Sequence, residues 1–300
     1  MNEQAGKKLI QIESLCDIDG VDTFLFDMYG VLWNGQDWYS GVKDVLQTLR
    51  AKGKRICILS NQTLVEETFI RLREQQGLVR GRDYDDVATS GALCLQEIKN
   101  GLFEKITKKQ DFRFYVVGKQ NPALFEPIQN HETSILKEAD IIYIGAFGKE
   151  GGAVLDKEIQ QLLLEAKAYQ LPAVCANPDV FWIDGEQRKL AQGAAGCFYE
   201  EIGGKVVWFG KPFKEIYEYA LKVSGSSPER SIMIGDMLAT DIRGANRAGI
   251  RSVLLTETGV TFYDLQTQNL LLDNFIEQQA KQNGCAVADL TPTYLLSRVK

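Results

Sequence analysis

The sequence predicts an α/β fold, in which a doubly wound parallel sheet carries a second, inserted α/β domain. Short apolar runs typical of buried strands alternate with amphipathic runs typical of helices along most of the 300 residues, and this alternation favours a parallel sheet. Four of the apolar runs lead directly into a reactive side chain: Asp27, Ser60, Lys211 or Asp236. Because the carboxyl ends of parallel strands line one crevice, we expect these side chains to meet there although they are far apart in the chain.

The first part of the core domain is predicted at residues 1–87. Its expected elements are strands at Thr23–Asp27 and Arg55–Ser60 and helices at Val42–Ala51 and Leu64–Gln76. The first helix places Val45, Leu46 and Leu49 on one face, which is the spacing of an amphipathic helix. Gly77 follows the second helix, and a glycine in that place is a common C-terminal cap.

The inserted domain is predicted at residues 88–200. This interval contains a long amphipathic run, Leu155–Tyr169, and strand-like runs at Phe112–Val117, Asp140–Ile144 and Pro172–Ala176. These elements are enough for a separate α/β layer. The glycine-rich stretch from Gly148 to Gly152 lacks the spacing of a phosphate-binding loop, so it is predicted to be a tight connector.

The second part of the core domain is predicted at residues 201–300. Strands are expected at Lys205–Phe209, Ser231–Gly235 and Arg251–Leu255, and helices from Pro212 towards Val223 and at Asp241–Ala248. Pro212 is expected in the first turn of its helix, where the missing N–H is tolerated. The stretch from Thr261 to Asn283 has a helical pattern and is expected to pack on the core surface. The final PTYLLSRV predicts a short closing strand or helix.

Composition excludes several classes of protein. A net charge of −6 argues against binding to nucleic acid, which depends on lysine and arginine contacts to phosphates. No apolar run approaches the 18 residues of a membrane span, and the first 15 residues are too polar for a signal peptide, so a cytoplasmic location is expected. The six cysteines are widely spaced without a CxxC pair, which indicates reduced thiols.

Three aspartates are the first candidates for chemistry. Asp27 follows the strand-like run TFLF, and burying an acid there is costly unless it is paired or bound to a metal. Asp236 and Asp241 lie in GDMLATDI, at a strand end and at the start of the following helix. Two acids in a tight loop suit Mg²⁺, which prefers a few carboxylates with water and substrate oxygens. The structural alternatives are a turn aspartate at position 27 and a helix cap at Asp241.

Anion-binding residues are the second group of candidates. The hydroxyl of Ser60 and the backbone N–H groups of Ser60-Asn61-Gln62 could hold an anion, although an ordinary helix N-cap would have the same sequence. Lys211 could neutralise a phosphate oxygen, and the alternative is a solvated lysine. The single histidine, His131, lies in a polar stretch and is predicted to be a surface residue, so no Ser-His-Asp machinery is expected.

Together these motifs resemble the haloacid dehalogenase-like superfamily in order, spacing and strand-end placement. DMYGVLW, SNQ, GKP and GDMLATDI stand for its four motifs over roughly residues 20–260 and 292–298. The inserted segment, with NPD at Asn177–Asp179 and QGAAG at Gln192–Gly196, is similar to the cap of subclass IIA. That subclass includes NagD-like proteins and the 4-nitrophenyl and pyridoxal phosphate phosphatases. The resemblance implies a Rossmann-like core and a Mg²⁺-dependent phosphatase acting on a small phosphorylated metabolite.

The resemblance also implies a role for each matching residue. Asp27 would form an aspartyl-phosphate, and Mg²⁺ would be held by Asp27, Asp236 and the backbone carbonyl of Tyr29, with Asp241 in support. Ser60, Asn61 and Lys211 would bind the phosphoryl group. The cap would exclude water and set specificity through Asn177, Asp179, Arg188 and Gln192. Sugar phosphates, nucleotides, pyridoxal phosphate and phosphoglycolate all fit such a cap, and a homodimer through the cap stays open.

Tyr29 departs from the family pattern, which has an acid two residues after the nucleophile. That acid protonates the leaving group and later activates water, whereas a phenol ordinarily loses its proton near pH 10 and is a poor base at neutrality. The phosphatase is therefore expected to be slow. Two alternatives stay open: a protein that binds a phosphorylated metabolite with little turnover, and a metal-free 2-haloacid dehalogenase, which has a tyrosine at this position. Retention of both Asp236 and Asp241 favours the metal-dependent phosphatase.

Overall fold

The structure is a computed structural model that describes residues 9–119, 121–146, 154–185 and 187–300. Within these ranges the chain forms two compact units. The first contains the described residues up to Leu59, Leu78–Asp86 and Ala220–Lys300, and the second contains Ser60–Gly77 and most of Val87–Tyr219. The predicted connector from Gly148 to Gly152 lies outside the described residues. Within these ranges, no helix is long and apolar enough to cross a membrane.

The strands of the described residues are β1 (Ile10–Gln11), β2 (Thr23–Phe26), β3 (Arg55–Ser60), β4 (Asp86–Thr89), β5 (Phe114–Val117), β6 (Ile141–Ile144), β7 (Pro172–Cys175), β8 (Phe181–Asp184), β9 (Gln187–Leu190), β10 (Lys205–Trp208), β11 (Ser231–Gly235), β12 (Arg251–Leu255) and β13 (Tyr294–Leu296).

The α-helices of the described residues are α1 (Val42–Ala51), α2 (Glu66–Gln75), α3 (Ser90–Lys99), α4 (Leu102–Thr107), α5 (Pro122–Phe125), α6 (Lys157–Ala168), α7 (Gly193–Glu201), α8 (Lys214–Ser224), α9 (Arg243–Arg247), α10 (Gly259–Gln268), α11 (Leu272–Gln282) and α12 (Val287–Leu290). Short 3₁₀ turns and one π-helical turn, Leu238–Ile242, complete the pattern.

The first unit is built on a parallel sheet, in which the neighbouring strands follow the order β1-β13-β12-β11-β2-β3. Its central strands, β2 and β11, are buried along their whole length, as expected for a parallel sheet covered on both faces. The C-terminal stretch packs on this sheet as predicted, because Phe275 and Ile276 of α11 join a buried cluster with Leu254 of β12. PTYLLSRV contributes a strand, β13, between β1 and β12.

The second unit contains a parallel sheet of order β10-β7-β6-β5 and an antiparallel hairpin of β8 and β9. A buried cluster lies between the sheet and α6 and α7, and it includes Ile142, Leu163, Cys175 and Tyr199. The parallel α/β architecture predicted from the sequence is thus confirmed. The predicted domain boundaries at residues 87 and 200 stay a prediction. The second unit, defined by compactness alone, also includes Ser60–Gly77 and extends to Tyr219.

Most predicted strands and helices are found within two residues of their expected bounds, and Val42–Ala51, Arg55–Ser60, Ser231–Gly235 and Arg251–Leu255 match fully. One expectation is wrong in detail: Pro212 does not lie in a helix. The peptide bond between Lys211 and Pro212 is cis, and α8 begins two residues later at Lys214. The hairpin of β8 and β9 was not predicted; β9 is mostly polar, although three of the four residues of β8 are apolar.

Candidate active site

Asp27 and Asp236 are placed side by side by the register of two neighbouring strands. β2 and β11 are parallel, and Phe26, the last residue of β2, is the partner of Ile234. Asp27 follows Phe26, and its backbone N–H donates to the carbonyl of Ile234 at 3.0 Å. Asp236 follows β11 directly. Both acids therefore leave the sheet at the same edge, as the sequence predicted.

Asp241 completes a cluster of three carboxylates. One carboxylate oxygen from each of Asp27, Asp236 and Asp241 lies within 4.8 Å of the others, and Asp236 and Asp241 are fully buried. Two like charges at this separation repel by about 3 kcal/mol at an effective dielectric constant of about 20. The arrangement therefore suits a bound cation, and an all-oxygen set of hard ligands favours Mg²⁺ over softer metals.

Backbone N–H groups fix the two buried acids. Oδ2 of Asp241 accepts hydrogen bonds from the N–H groups of Asp236 and Met237 at 3.1 and 3.0 Å. Oδ2 of Asp236 accepts from Val260 N–H at 2.6 Å, at the beginning of α10. Asp241 lies inside the π-helical turn Leu238–Ile242 rather than at a helix N-cap, which is occupied by Met237. π-Helical turns are rare and frequent at functional sites.

Three glycines, which the sequence analysis did not single out as site residues, allow this close approach. A Cβ atom on Gly30 or on Gly259 would overlap the carboxylate of Asp236, and one on Gly235 would overlap the side chain of Asp241. Gly30 and Gly259 also have positive φ angles of +82° and +77°, which disfavour L side chains. For Gly30 and Gly235 the signal was their place in DMYGVLW and GDMLATDI, whereas nothing local marks Gly259 among the 27 glycines.

Gly259→Ala is expected to disrupt the acid cluster. A matched control is Gly53→Ala, because Gly53 has a φ of +74° and no atom within 4 Å of the added Cβ. The control carries only the left-handed backbone penalty of about 1–2 kcal/mol. Gly259→Ala carries the same penalty and also displaces Asp236, so it should lose the stabilisation by Mg²⁺ that the control retains. Thermal unfolding of both variants with and without Mg²⁺ measures the difference. Equal responses to Mg²⁺ would show that Asp236 does not depend on this contact.

Two tyrosines lie near the acids. Tyr29 is two residues after Asp27 in the chain, and Tyr39 is close enough to Asp236 to feel its charge. Tyr29 is half-buried, and its backbone bridges to Trp33 in the turn that follows β2. Burial, together with the negative charge of Asp236, raises the pKa of Tyr39 to about 12, while a hydrogen bond with the backbone of Gly259 acts in the opposite direction. Tyr39 therefore stays a neutral phenol at physiological pH. The sequence analysis did not identify it, because nothing local places it near Asp236.

The predicted phosphate-binding residues lie in the second unit. Ser60 ends β3 and is 2% exposed, and its hydroxyl accepts from Gln62 N–H at 3.3 Å. It is not a helix N-cap, since α2 begins at Glu66 with Val65 as its cap. Lys211 is 1% exposed, so the alternative of a solvated lysine is wrong. Asn61 donates to the carbonyl of Lys211 at 3.1 Å.

The four predicted specificity residues have internal contacts in the second unit. Oδ1 of Asn177 accepts from the N–H of Asp179 at 2.9 Å, and a carboxylate oxygen of Asp179 accepts from Asn61. The guanidinium of Arg188 lies 3.8 Å from the ring centroid of Phe181 across the hairpin. Gln192 is buried and donates to the carbonyl of Ile144 at 3.4 Å. Their roles in specificity stay predictions.

Two further expectations can be compared with the structure. The ring of His131 stacks on Phe112 at 4.3 Å and is half-buried rather than on the open surface. All six cysteines are free, in agreement with the expected reduced thiols. Burial raises the pKa of the Cys175 thiol to about 12, so this thiol is unreactive at neutral pH.

A comparison with known families decides the classification. The model of the haloacid dehalogenase-like hydrolases matches residues 21–249, which is most of the chain. The chain belongs to the haloacid dehalogenase-like hydrolase family. The resemblance predicted from the four motifs is thus confirmed.

Relatives of this haloacid dehalogenase-like hydrolase include proteins named as phosphatases. It is 27% identical over 267 residues to phosphoglycolate phosphatase 2 of Arabidopsis thaliana, covering 81% of this chain and 85% of the relative. It is 26% identical over 300 residues to glycerol-3-phosphate phosphatase of Rattus norvegicus, covering 91% and 90%. Identity to a 4-nitrophenylphosphatase of Schizosaccharomyces pombe is 27% over 267 residues, covering 81% and 86%.

Solved structures of the same family share the fold. A haloacid dehalogenase-like hydrolase from Brucella suis 1330 superposes with a TM-score of 0.76 at 24% identity, covering 96% of this chain and 100% of that one. The 4-nitrophenylphosphatase of Thermotoga maritima superposes with a TM-score of 0.63 at 21% identity, covering 93% of this chain and 95% of that one. NagD from E. coli K-12 superposes with a TM-score of 0.60 at 18% identity, covering 93% of this chain and 96% of that one. These neighbours show that the fold of this chain is shared over almost its whole length.

Proposed function

We propose that the protein is a Mg²⁺-dependent phosphatase that hydrolyses small phosphate monoesters through a phosphoryl group carried on Asp27. The observation that carries this proposal is the convergence of three carboxylates within 4.8 Å at the end of two neighbouring strands. Membership of the hydrolase family and the names of the relatives support it.

The residues present fit a divalent cation. The cluster offers carboxylate oxygens alone, and a carbonyl oxygen in the segment after Asp27 would add a further hard ligand, with Tyr29 as the candidate. We propose that Asp27, Asp236 and this carbonyl hold Mg²⁺ and that Asp241 supports them. When bound, the cation supplies positive charge that offsets the repulsion between the acids and an anionic substrate.

Asp27 is the proposed nucleophile. A carboxylate oxygen of Asp27 forms a bond to phosphorus as the bond from phosphorus to the ester oxygen breaks, and the leaving alkoxide takes a proton. Water then attacks the phosphorus of the acyl-phosphate, which releases inorganic phosphate and restores the carboxylate. The phenol of Tyr29 can donate a proton in the first step, but it is a poor base for the second.

Ser60 and Lys211 are the proposed ligands of the phosphoryl group. Each is almost fully buried, and a hydroxyl or ammonium held away from water interacts more strongly with an anion than one in solvent. The hydroxyl of Ser60 accepts one hydrogen bond from Gln62 and can donate its own hydrogen to a phosphate oxygen. The ammonium of Lys211 neutralises charge on the phosphate, and the backbone N–H of Asn61 is proposed as a further donor.

The substrates are proposed to be small monoesters. The relatives are named for phosphoglycolate, glycerol 3-phosphate and 4-nitrophenyl phosphate, so these three esters form the core of a test panel, extended by sugar phosphates, nucleotides and pyridoxal phosphate. The panel is assayed with Mg²⁺ and with chelator. Mg²⁺-dependent release of phosphate supports the proposal. Saturable binding without turnover would favour a binding protein, and halide release from 2-haloacids without metal would favour a dehalogenase.

Stabilisation by Mg²⁺ tests the metal site without turnover. At a free concentration about 100 times the Kd, a ligand that binds only the folded state stabilises it by about 2.7 kcal/mol, so the melting temperature should rise. Asp236→Asn should abolish this rise. Asp86→Asn is a matched control, because Asp86 is also a buried acid of the first unit but pairs with Arg55. A wild-type protein that does not respond to millimolar Mg²⁺ would contradict the metal site.

A further inference from the structure

The side-chain amide of Asn61 is fully engaged inside the second unit. Its Nδ2 donates to Asp179 Oδ1 at 2.9 Å and to the backbone carbonyl of Lys211 at 3.1 Å. Its Oδ1 accepts from the backbone N–H of Lys211 at 2.6 Å. An asparagine amide has two N–H donors, so both are used by these contacts and neither is left for a phosphate oxygen.

The orientation of this amide is determined by its partners. Nδ2 faces two acceptors, a carboxylate and a carbonyl, while Oδ1 faces one donor, the N–H of Lys211. The flipped amide would place an oxygen against both acceptors and a donor against a donor, so only one orientation satisfies all three contacts. Asn61 is 3% exposed, and a buried amide with unmet partners would be destabilising.

The segments on both sides of Asn61 pack tightly against it. Gly210, which precedes the lysine, has a φ of +119°, and a Cβ there would lie 2.6 Å from Asn61 Oδ1 and 2.8 Å from Pro178 Cδ. Asp179 is held in turn, because its carbonyl accepts from Gly193 N–H at 3.0 Å. The lysine segment and the NPD segment therefore both depend on the amide of Asn61.

We propose that Asn61 is a positioning residue that fixes Lys211 through both polar groups of the lysine backbone, and that Asp179 orients Asn61 for this task. The proposal rests on the proposed function, in which Lys211 binds the phosphoryl group. It assigns the side chain of Asn61 to the lysine rather than to the phosphate, and it assigns Asp179 to the support of the site rather than to direct contact with the substrate.

The kinetic consequence follows from the geometry of phosphate binding. The ammonium of Lys211 lies at the end of a long side chain, so a shift of its backbone changes where the charge is delivered. A misplacement of about 1 Å in a reacting group can reduce the rate about 10²-fold. Asn61→Asp keeps the size of the side chain and the acceptor for Lys211 N–H, but it turns a carboxylate oxygen towards both Asp179 and the carbonyl of Lys211. We expect kcat/KM to fall roughly 10²-fold in this variant.

A second substitution should rescue that variant. Adding Asp179→Asn places an amide opposite the new carboxylate, so the hydrogen bond between positions 61 and 179 can form with its direction reversed. Because residues in one hydrogen-bond network are energetically coupled, we expect kcat/KM to recover by about tenfold. If Asn61 contacted the phosphate directly, the negative charge at position 61 would remain in the double variant and no recovery would occur.

A matched control separates positioning from stability. Asn246 also bridges backbone carbonyls, those of Asp289 and Thr291 at 2.9 and 3.0 Å, but it does so in the first unit, between α9 and the end of α12. Asn246→Ala should lower the melting temperature while kcat/KM stays near the wild-type value. A similar loss of kcat/KM in Asn61→Ala and Asn246→Ala, at equal melting temperatures, would overturn the proposal.

Amide hydrogen exchange of Lys211 tests the contact without catalysis. The N–H of Lys211 donates to Asn61 Oδ1, so Asn61→Ala should accelerate its exchange in the full-length protein, whereas Asn61→Asp should keep it protected. Unchanged exchange in Asn61→Ala would overturn the proposal. A wild-type protein that hydrolyses no ester would contradict the proposed function alone, because the exchange measurement needs no turnover.

Discussion

Replacing Asp27 with asparagine is expected to abolish phosphatase turnover while the fold persists. The amide has the shape of the carboxylate but lacks its nucleophilic charge, so the bond to phosphorus cannot form. Loss of a covalent nucleophile lowers kcat by on the order of 10⁴-fold or more in other hydrolases. The backbone hydrogen bond from Asp27 to Ile234 is unaffected, so the strand register should be retained.

The stability of this variant provides its control. Three carboxylates lie within 4.8 Å of one another, and Asp27→Asn removes one of the repelling charges. Without Mg²⁺ the variant should therefore melt no lower than the wild type, which separates loss of chemistry from loss of fold. Activity near that of the wild type in a folded variant would mean that water attacks the ester directly and that Asp27 is only a metal ligand.

Replacing Tyr29 with aspartate is expected to raise steady-state turnover. Attack on 4-nitrophenyl phosphate needs little acid catalysis because nitrophenolate leaves readily, but hydrolysis of the acyl-phosphate still needs a base for the attacking water. A carboxylate at position 29 would supply that base, and general acid–base catalysis is typically worth 10²–10⁴-fold. The wild type should show a burst of nitrophenol followed by slow turnover, and Tyr29→Asp should shrink the burst.

Tyr29→Phe is the matched control for this prediction. It keeps the ring but removes the hydroxyl, so it should slow esters with poor leaving groups and change 4-nitrophenyl phosphate little. The backbone bridge of Tyr29 to Trp33 does not depend on the side chain, and both variants should fold. If a folded Tyr29→Asp that still responds to Mg²⁺ is no faster on any ester, the second half-reaction is not the slow step.

The acid cluster could be predicted because its position depends on local sequence and sheet topology. Asp27 and Asp236 each follow an apolar strand, and parallel neighbours place such residues at the same edge. The two strands also have the near-continuous hydrophobic runs of buried parallel strands. The identity of the family followed from the same motifs, since their order and spacing are more specific than any single residue.

Features that depend on tertiary contact could not be predicted from the sequence. Asn61 and Lys211 are 150 residues apart, and no local pattern indicates that an amide holds the lysine backbone. Gly259 begins a helix that the sequence analysis expected from Thr261. A side chain is excluded at position 259 because Asp236 lies too close, and this contact is not visible in the sequence. The apolar run of β10 predicted a strand but carried no signal that it pairs with β7 in the second sheet.

The most direct test of the account is to identify the phosphorylated residue during the burst. Wild-type protein is mixed with 4-nitrophenyl phosphate and Mg²⁺, quenched in acid before the first slow turnover, and mapped by peptide mass spectrometry. The account predicts a phosphoryl group on Asp27 that is absent with chelator and reduced in Tyr29→Asp. Burst release of nitrophenol with no phosphate on Asp27, or with the phosphate on another residue, would contradict it.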